Sequence, residues 1–594
     1  MSTPKMNLTK TNEGQHNKHI RKIDSHREGT ANYNFVPLND TIFHYSADEN
    51  PVDHSRFDNK LFSGTLDCQL ETLSEMYIGS DKDQFFQVNG ELRIPGSSLR
   101  GLIRQMVGIM SYGKVAQIDD ERTLFTRPMA DEDVQFRKWY NDQLTEQERG
   151  EKRKSYTACA GYLFLHKGKF YIQPAEEHSN AQYKQVKIQD IRRDMNGQRL
   201  EEFSFKKRKD GSFYVASGSA PKKKREWLIY APDFKKTAVA VPSTAIVNYQ
   251  KDCDQANPSR RKKFNLLDTL KKSVKNNKDN FPQVGEGNEI GIPVFYIERN
   301  GSVVTFGHTG LFRIAYEKSI GKHTAYGHLD EDKMDLVERM FGRISKDGKY
   351  AHKTFVEVTD GKLVDGGQIQ PEKKLILSGP KPTSFQNYLV QKHTKKDGKN
   401  HWGQGTWLRG HKMYWHHQFS PQDFTNVKSE GVYTRIKPIA TGSKFKFSLS
   451  FSNLTKIEVG SLITAIQLPE GCAHKIGMAK ALGLGSVRIE AKFNEVNIKE
   501  RYESLFEGDN WNCGIKNAEM EDFAKVFRGT IAKYASEYDK DKNSGLYWDL
   551  YRMRQLKKML HIESGQNLFK KRKLKDQGID TRKRKVLPIP EDVR

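Results

Sequence analysis

Apolar and polar residues alternate most cleanly at 444–454, KFKFSLSFSNL, with Phe445, Phe447, Leu449 and Phe451 on one face and Lys and Ser on the other. A period of two predicts a half-buried strand. LFSGTLDCQLETLSEMYIG (61–79) repeats the pattern through Leu66, Cys68 and Leu70. A helical stripe appears in DKMDLVERMFG, where Met334, Leu336, Val337, Met340 and Phe341 line up and Gly342 offers a C-cap. EVGSLITAIQL reads as a short helix. HKIGMAKALGLGSVRIEAKF reads as a glycine-punctuated loop entering a strand. GYLFLHKGKFYIQPA (161–175) predicts a hairpin turning at Lys167-Gly168-Lys169. FKKRKDGSFYV and APKKKREWLIYAP are strand-like stretches edged with cations, and the β pattern resumes over 292–321.

A chain of 594 residues is too long for one compact core. The patterns divide it into a flexible basic arm (1–33), a first core part (34–126), an insertion (127–290), and a second core part (291–495) with room for a second unit of the same kind. A helical basic extension (496–594) follows. Its clusters KKRKLK (570–575) and RKRK (582–585) read as solvated segments.

Charge changes this picture most. Ninety-nine Lys and Arg against 74 Asp and Glu leave +25, which favours a polyanionic partner. Cations that cluster beside aromatics favour nucleic acid over an anionic membrane. The five cysteines are scattered without a CxxC pair, which argues against a disulfide framework and a structural zinc site. The first residues have no apolar signal region and no run approaches a membrane span, so the reading is a reduced, cytoplasmic protein without a membrane partner.

Candidate chemistry starts at LRIPGSSLRGLIRQMVG (92–108), a strand, a tight turn and a helix. Ser97 or Ser98 could N-cap the helix, and Arg100 and Arg104, four apart, share one face. Such a start holds either a phosphate or nothing more than a cap with solvated arginines. In GMAKALGLGS (477–486), Gly477, Gly483 and Gly485 permit a close backbone approach, while Lys475, Lys480 and Arg488 bring charge. No Walker lysine and no GxGxxG occur there.

Taken in order, IPGSSLRG, LVERMFG, GSKFKFSLSFSNL, LITAIQL and HKIGMAKALGLGSVRIE resemble the RAMP superfamily of CRISPR-associated proteins over about 61–125 and 290–495. LRGHKMYWHH (408–417) resembles a segment of the long RAMP proteins of type III systems. The resemblance implies an α+β fold: a ferredoxin-like (RRM-like) antiparallel sheet core with a large insertion and a helical C-terminal extension. It implies a subunit of a type III CRISPR effector that binds guide RNA and target RNA beside other effector subunits. The guide grip would fall on Gly96, Ser97, Ser98, Arg100, Arg104, Lys475, Lys480, Gly483 and Gly485. In members that cut target RNA an aspartate precedes the IPGSS turn; here GSDKDQFFQVNGE offers Asp83, preferred on spacing, and Asp81.

A carboxylate there could orient the ribose 2′-OH, take its proton, or hold a divalent ion such as Mg2+. No protein metal site is expected otherwise. Two alternatives stand beside cleavage: a non-catalytic structural subunit, and a metal-independent endoribonuclease that processes CRISPR RNA with histidines. His401, His411, His416 and His417, among Trp402, Trp407, Tyr414 and Trp415, fit neither HExxH nor a zinc pattern and read mainly as half-buried structural residues. His308 and His328 read as structural, and Phe85 and Phe86 as hairpin packing.

Overall fold

The computed structural model describes residues 6–10, 16, 18–45, 55, 58, 60–79, 83–115, 118–128, 131–144, 158–218, 223–255, 265–276, 281–310, 313–377, 379, 382–419, 433–535, 546–572 and 583–593. The chain forms two compact units, Met1–Arg122 with Lys318–Arg594, and Thr123–Glu317. Antiparallel sheets and helices mix in an α+β architecture.

The first unit is organised around one sheet. Its labelled elements are β1 (Phe62–Thr72), β2 (Glu91–Ile94), α1 (Gly96–Met110), α2 (Leu336–Phe341), β3 (Gly361–Asp365), β4 (Lys444–Leu454), α3 (Lys456–Ile466), β5 (His474–Lys475), β6 (Ser486–Val496) and α4 (Met520–Tyr534). The strand order is β5-β6-β1-β4-β3-β2, with every neighbouring pair antiparallel. Helix α1 follows β2 and α3 follows β4. Phe445 sits opposite Leu70, Phe447 opposite Cys68 and Leu449 opposite Leu66, so the apolar faces of β1 and β4 coincide. A slip of one residue would turn both sets to solvent.

α3 begins with a capping box between Thr455 and Glu458. Glu458 is fully buried and receives Arg339 Nε at 2.7 Å and the Tyr45 hydroxyl at 2.6 Å, which compensates the burial of its charge. Gly460 lets α4 close onto α3, since a Cβ there would lie 2.1 Å from the Phe523 carbonyl oxygen.

Several expectations change here. Strands from 34–126 and from 291–495 pair into one sheet, and among the described residues they form no second sheet of this kind. The described part of 1–33 is tied down: Met6–Lys10 pairs with Thr41–Tyr45, and buried His19 bonds Leu587 O through Nε2 at 2.9 Å. The RKRK cluster is not solvated throughout. Arg584 is buried with its guanidinium 3.9 Å from the Phe385 ring centroid, because the surrounding carbonyls of 383–386 accept its N–H groups. The second half of KKRKLK, 573–575, lies outside the described residues.

The second unit holds a closed barrel in the ring order Val239–Val241, Ser302–Gly307, Ile292–Arg299, Cys159–His166, Lys169–Pro174, and back to Val239–Val241. Lys167 and Gly168, both at positive φ, make the predicted hairpin turn. Its interior is apolar, with Leu163, Ile172, Ile292 and Val294 fully buried. Ile292–Arg299 and Ser302–Gly307, read from sequence as core, close this barrel instead, so the unit outgrows 127–290 at both ends. Between its second and third strands stands a four-stranded sheet in the order Tyr183–Lys187, Arg225–Ile229, Phe213–Val215, Phe205–Lys207. Among the described residues no helix is long and apolar enough to cross a membrane.

Candidate nucleic-acid interface

Helix α1 starts two residues earlier than a Ser97 cap would require. Pro95 is the N-cap, and its carbonyl accepts from Ser98 N at 2.9 Å and Leu99 N at 3.2 Å. Ser97 and Ser98 therefore fall inside the first turn, Ser97 exposed and Ser98 half-buried. The Gly96 N–H donates to Asp360 Oδ1 at 2.8 Å. A Cβ on Gly96 would stand 2.5 Å from Val358 O, so glycine lets the helix start pack on the neighbouring strand. An internal carboxylate already occupies this helix terminus, and it also approaches Arg93 at 3.9 Å.

The arginines beyond the turn face outward into a cleft. Arg100 donates to Phe341 O at 2.6 Å and lies 5.3 Å from the Phe341 ring centroid, which couples α1 to the end of α2. Gly342, at φ 78°, ends that helix as the sequence predicts. Arg104, one turn further, has no ion-pair partner among the described residues. The cleft, about 480 Å³, carries five Lys or Arg against three carboxylates. Three of those cations are engaged: Lys114 with Glu338 at 2.9 Å, Arg343 with Glu338 at 3.4 Å, and Lys346 with Asp120 at 2.8 Å. The surplus is Arg100 and Arg104. Burial, with Arg104 next, draws the Arg100 guanidinium below its ordinary pKa, so an incoming phosphate would relieve repulsion there. The sequence reading missed Arg343 and Lys346; the RISK run after the helix-ending Gly342 was their only signal.

The glycine loop is built differently. Gly477, Gly483 and Gly485 have φ of 83°, 101° and 78°. A Cβ on Gly485 would meet Ile476 O at 1.9 Å, and one on Gly483 would meet His417 O at 2.7 Å. The close approach these glycines allow is to the protein's own carbonyls. Lys475 donates to Leu484 O at 2.9 Å and Lys480 to Gly477 O at 3.0 Å, so both lysines brace the loop from inside. Burial, then Lys480, pulls the Lys475 ammonium down to about 7.

Asp83 lies near this loop. Gly79 and Phe85 pair across the segment that carries it, and Phe85 is fully buried within 6.4 Å of the Phe445 ring, as packing predicts. Asp83 is exposed at φ 59°, a left-handed conformation uncommon for a residue with a side chain. Burial first and Asp83 second raise the Tyr77 phenol above its usual range, and Met478 N donates to Tyr77 O at 2.9 Å. Asp81 lies outside the described residues. Among the described residues no group of three His, Cys, Asp or Glu is placed to hold a metal ion.

The histidines belong to the interior. His416 sits between Ser486 Oγ at 2.9 Å and Ala473 O at 3.0 Å, and His417 stacks on Phe569 at 3.6 Å. Burial pulls them down to about 3 and about 4, so they are neutral at pH 7. His401, His308 and His328 are enclosed as well.

The structure thus brings Asp83, Tyr77 and the glycine loop together. It holds the IPGSS turn apart from them: β2 and β6 are separated by β1, β4 and β3, about 20 Å at ordinary strand spacing. The open face of the sheet between them carries Asp67, Gln69, Lys446, Glu490 and Lys492, all exposed, with no aromatic side chain in those alternating positions.

The RAMP superfamily model matches residues 69–306, which include Asp83 and the whole IPGSSLRG turn but stop before the glycine loop. The resemblance read from the sequence over about 61–125 and 290–495 meets this match at 69–125 and 290–306, and the match also runs through 127–290, read above as an insertion. No curated protein matches the chain. A chain from the structure titled "CRISPR RNA-guided surveillance complex, pre-nicking" is 10% identical with a TM-score of 0.21, over 81% of this chain and 95% of that one. A chain from "Cryo-EM structure of the Type III-B Cmr-beta bound to cognate target RNA" is 9% identical with a TM-score of 0.18, over 73% and 98% respectively.

Proposed function

We propose that this chain is an RNA-binding RAMP subunit of a type III CRISPR effector, holding guide RNA and cutting complementary RNA at Asp83. One observation carries the reading: within the segment matching the RAMP superfamily, Arg100 and Arg104 stand as surplus cations in a cleft beside α1. The β1–α1–β3–β4–α3–β6 connectivity and the order β6-β1-β4-β3 support a ferredoxin-like core. The open sheet face has no aromatic platform, so the contact is to the sugar-phosphate backbone and not by base stacking. Guide RNA, target RNA and other effector subunits are the partners of this reading.

Asp83 performs the cut as a general base. Its carboxylate takes the ribose 2′-OH proton, and the 2′-oxygen attacks the adjacent phosphorus. The P–O5′ bond breaks, leaving a 2′,3′-cyclic phosphate, and the proton passes to the departing 5′-oxygen. No step is assigned to Mg2+, because the described residues supply no cluster for it.

Among the described residues Asp83 belongs to no group of three His, Cys, Asp or Glu placed to hold a metal ion, which favours a second reading, a structural subunit that binds without cutting. Asp83→Ala decides between them. In the assembled complex, the first reading expects loss of cleavage at one target position with guide binding unchanged. Normal cleavage at every position by both Asp83→Ala and Asp81→Ala complexes leaves the structural reading. The burial of His416 and His417 speaks against a histidine endoribonuclease.

A further inference from the structure

The second unit has no assigned role, and its barrel has a telling connectivity. In chain order the strands are Cys159–His166, Lys169–Pro174, Val239–Val241, Ile292–Arg299 and Ser302–Gly307, the first to the fifth. Around the ring they run first, second, third, fifth, fourth and back to the first. The third and fifth strands pair in parallel, and the helices Ser243–Gln255 and Leu266–Asn276 lie between the third and the fourth. That is the connectivity of an OB barrel, a fold used repeatedly for single-stranded nucleic acid. Fold analogy alone does not establish a site.

The site comes from the sheet inserted between the second and third strands. It bears a cleft of about 690 Å³. Lys223, one of the cleft cations, is spent internally on Glu226 and on the carbonyls of Ser217 and Gly218. Lys187, Arg192, Arg199, Lys224 and Arg225 are exposed and have no ion-pair partner among the described residues. Lys187 and Arg225 face each other directly across two antiparallel strands. Like charges opposite one another destabilise a sheet, so this arrangement calls for a polyanion. Ile188, Ile191 and Leu200 supply an apolar floor, suited to a base or ribose between phosphates.

We infer that this cleft binds the backbone of single-stranded RNA, a second RNA site in the chain, separate from the Arg100–Arg104 cleft. The test uses the full chain and a labelled oligouridylate of about 20 nucleotides, longer than one OB-type site. Replacing Lys187, Lys224 and Arg225 by Gln is expected to lower the slope of log affinity against log salt by about 2, from about 0.7 per lost phosphate contact. Oligouridylate carrying 4-thiouridine is expected to cross-link within 187–225, and to do so still in the Arg100→Ala/Arg104→Ala chain. An unchanged salt slope with no cross-link in 187–225 overturns the inference. A cross-link that polyglutamate displaces and unlabelled oligouridylate does not overturns it in favour of an acidic protein partner. Because the arginine variant disables only the first-unit cleft, failure of either site is read separately.

Discussion

At the IPGSSLRG turn, the side chains that follow the glycine lean out: Arg100 and Arg104 face a cleft, and only one guanidinium is partly engaged. At GMAKALGLGS the cations fold in, with Lys475 and Lys480 donating to carbonyls of their own loop. Both stretches pair glycine with positive charge. The difference lies in what the glycines face. Gly96 brings one helix start against one strand, whereas Gly477, Gly483 and Gly485 wrap the chain so tightly that its carbonyls need donors from within. Charge near a glycine turn is therefore evidence of a ligand only when the turn's own carbonyls are satisfied elsewhere.

The sharpest way to break this comparison is to add one methyl group to each turn. Gly485→Ala forces a Cβ to 1.9 Å from Ile476 O at a positive φ, while Gly96→Ala meets Val358 O at 2.5 Å without a positive φ. The first combines backbone strain with overpacking and should cost about 3–5 kcal/mol; the second, overpacking alone, about 1–3 kcal/mol. Denaturant unfolding of the whole chain measures both. A Gly485→Ala protein as stable as wild type would show that the loop is not built around its glycines.

Next in size is the effect on RNA. Arg100→Ala/Arg104→Ala should weaken RNA binding about 10- to 100-fold and lower the salt slope by about 1.4, the expectation for two lost phosphate contacts. Lys475→Ala/Lys480→Ala should leave the slope within about 0.5 of wild type while loosening the loop. Filter binding over a salt series separates the two. Equal slope losses would mean that the lysines turn outward when RNA arrives, and the contrast would collapse.

How much of this was legible follows from the range of each interaction. The strands 62–72 and 444–454 were readable because their apolar alternation is local and matches their burial; the helices at 336–341 and 456–466 were readable from local sequence, although both are buried on nearly every residue. The barrel strands at 292–307 were readable as strands but not as the second unit's, since pairing with Cys159–His166 is a contact over more than a hundred residues. At the site, the four-residue spacing placed Arg100 and Arg104 on one helix face, as found. The role of Asp360 in receiving the Gly96 N–H was invisible, because it arrives from 264 positions away. The inward turn of Lys475 was equally hidden: sequence shows a charge, and only the fold shows how many carbonyls compete for it.

Protonation gives the finest test of that inward turn. Lys475 is held down to about 7 by burial first and by Lys480 second, against 10.5 for an ordinary lysine. Below pH 7 the folded and unfolded chains both carry its proton, and burying the charge costs stability in full. Between about 7 and 10.5 only the unfolded chain keeps the proton, so stability should rise with pH across that window, on the order of a few kcal/mol before allowance for partial exposure. Of the groups beside it, His416 and His417 are quiet near neutrality, held to about 3 and about 4, whereas burial lowers Lys480 in the same direction as Lys475. The expected result is a melting temperature that climbs by a few degrees from pH 6.5 to 9 in the wild type and stays flatter in Lys475→Met. If Lys475→Met climbs equally, the gain originates elsewhere and Lys475 is not buried in its loop. A phosphate that reached Lys475 would restore its charge, so RNA binding at pH 8.5 would take up close to one proton per chain. Absence of that uptake, measured by calorimetry in buffers of different ionisation heat, is the outcome the inward-facing geometry requires, and it would leave Arg100 and Arg104 as the pair that meets the backbone.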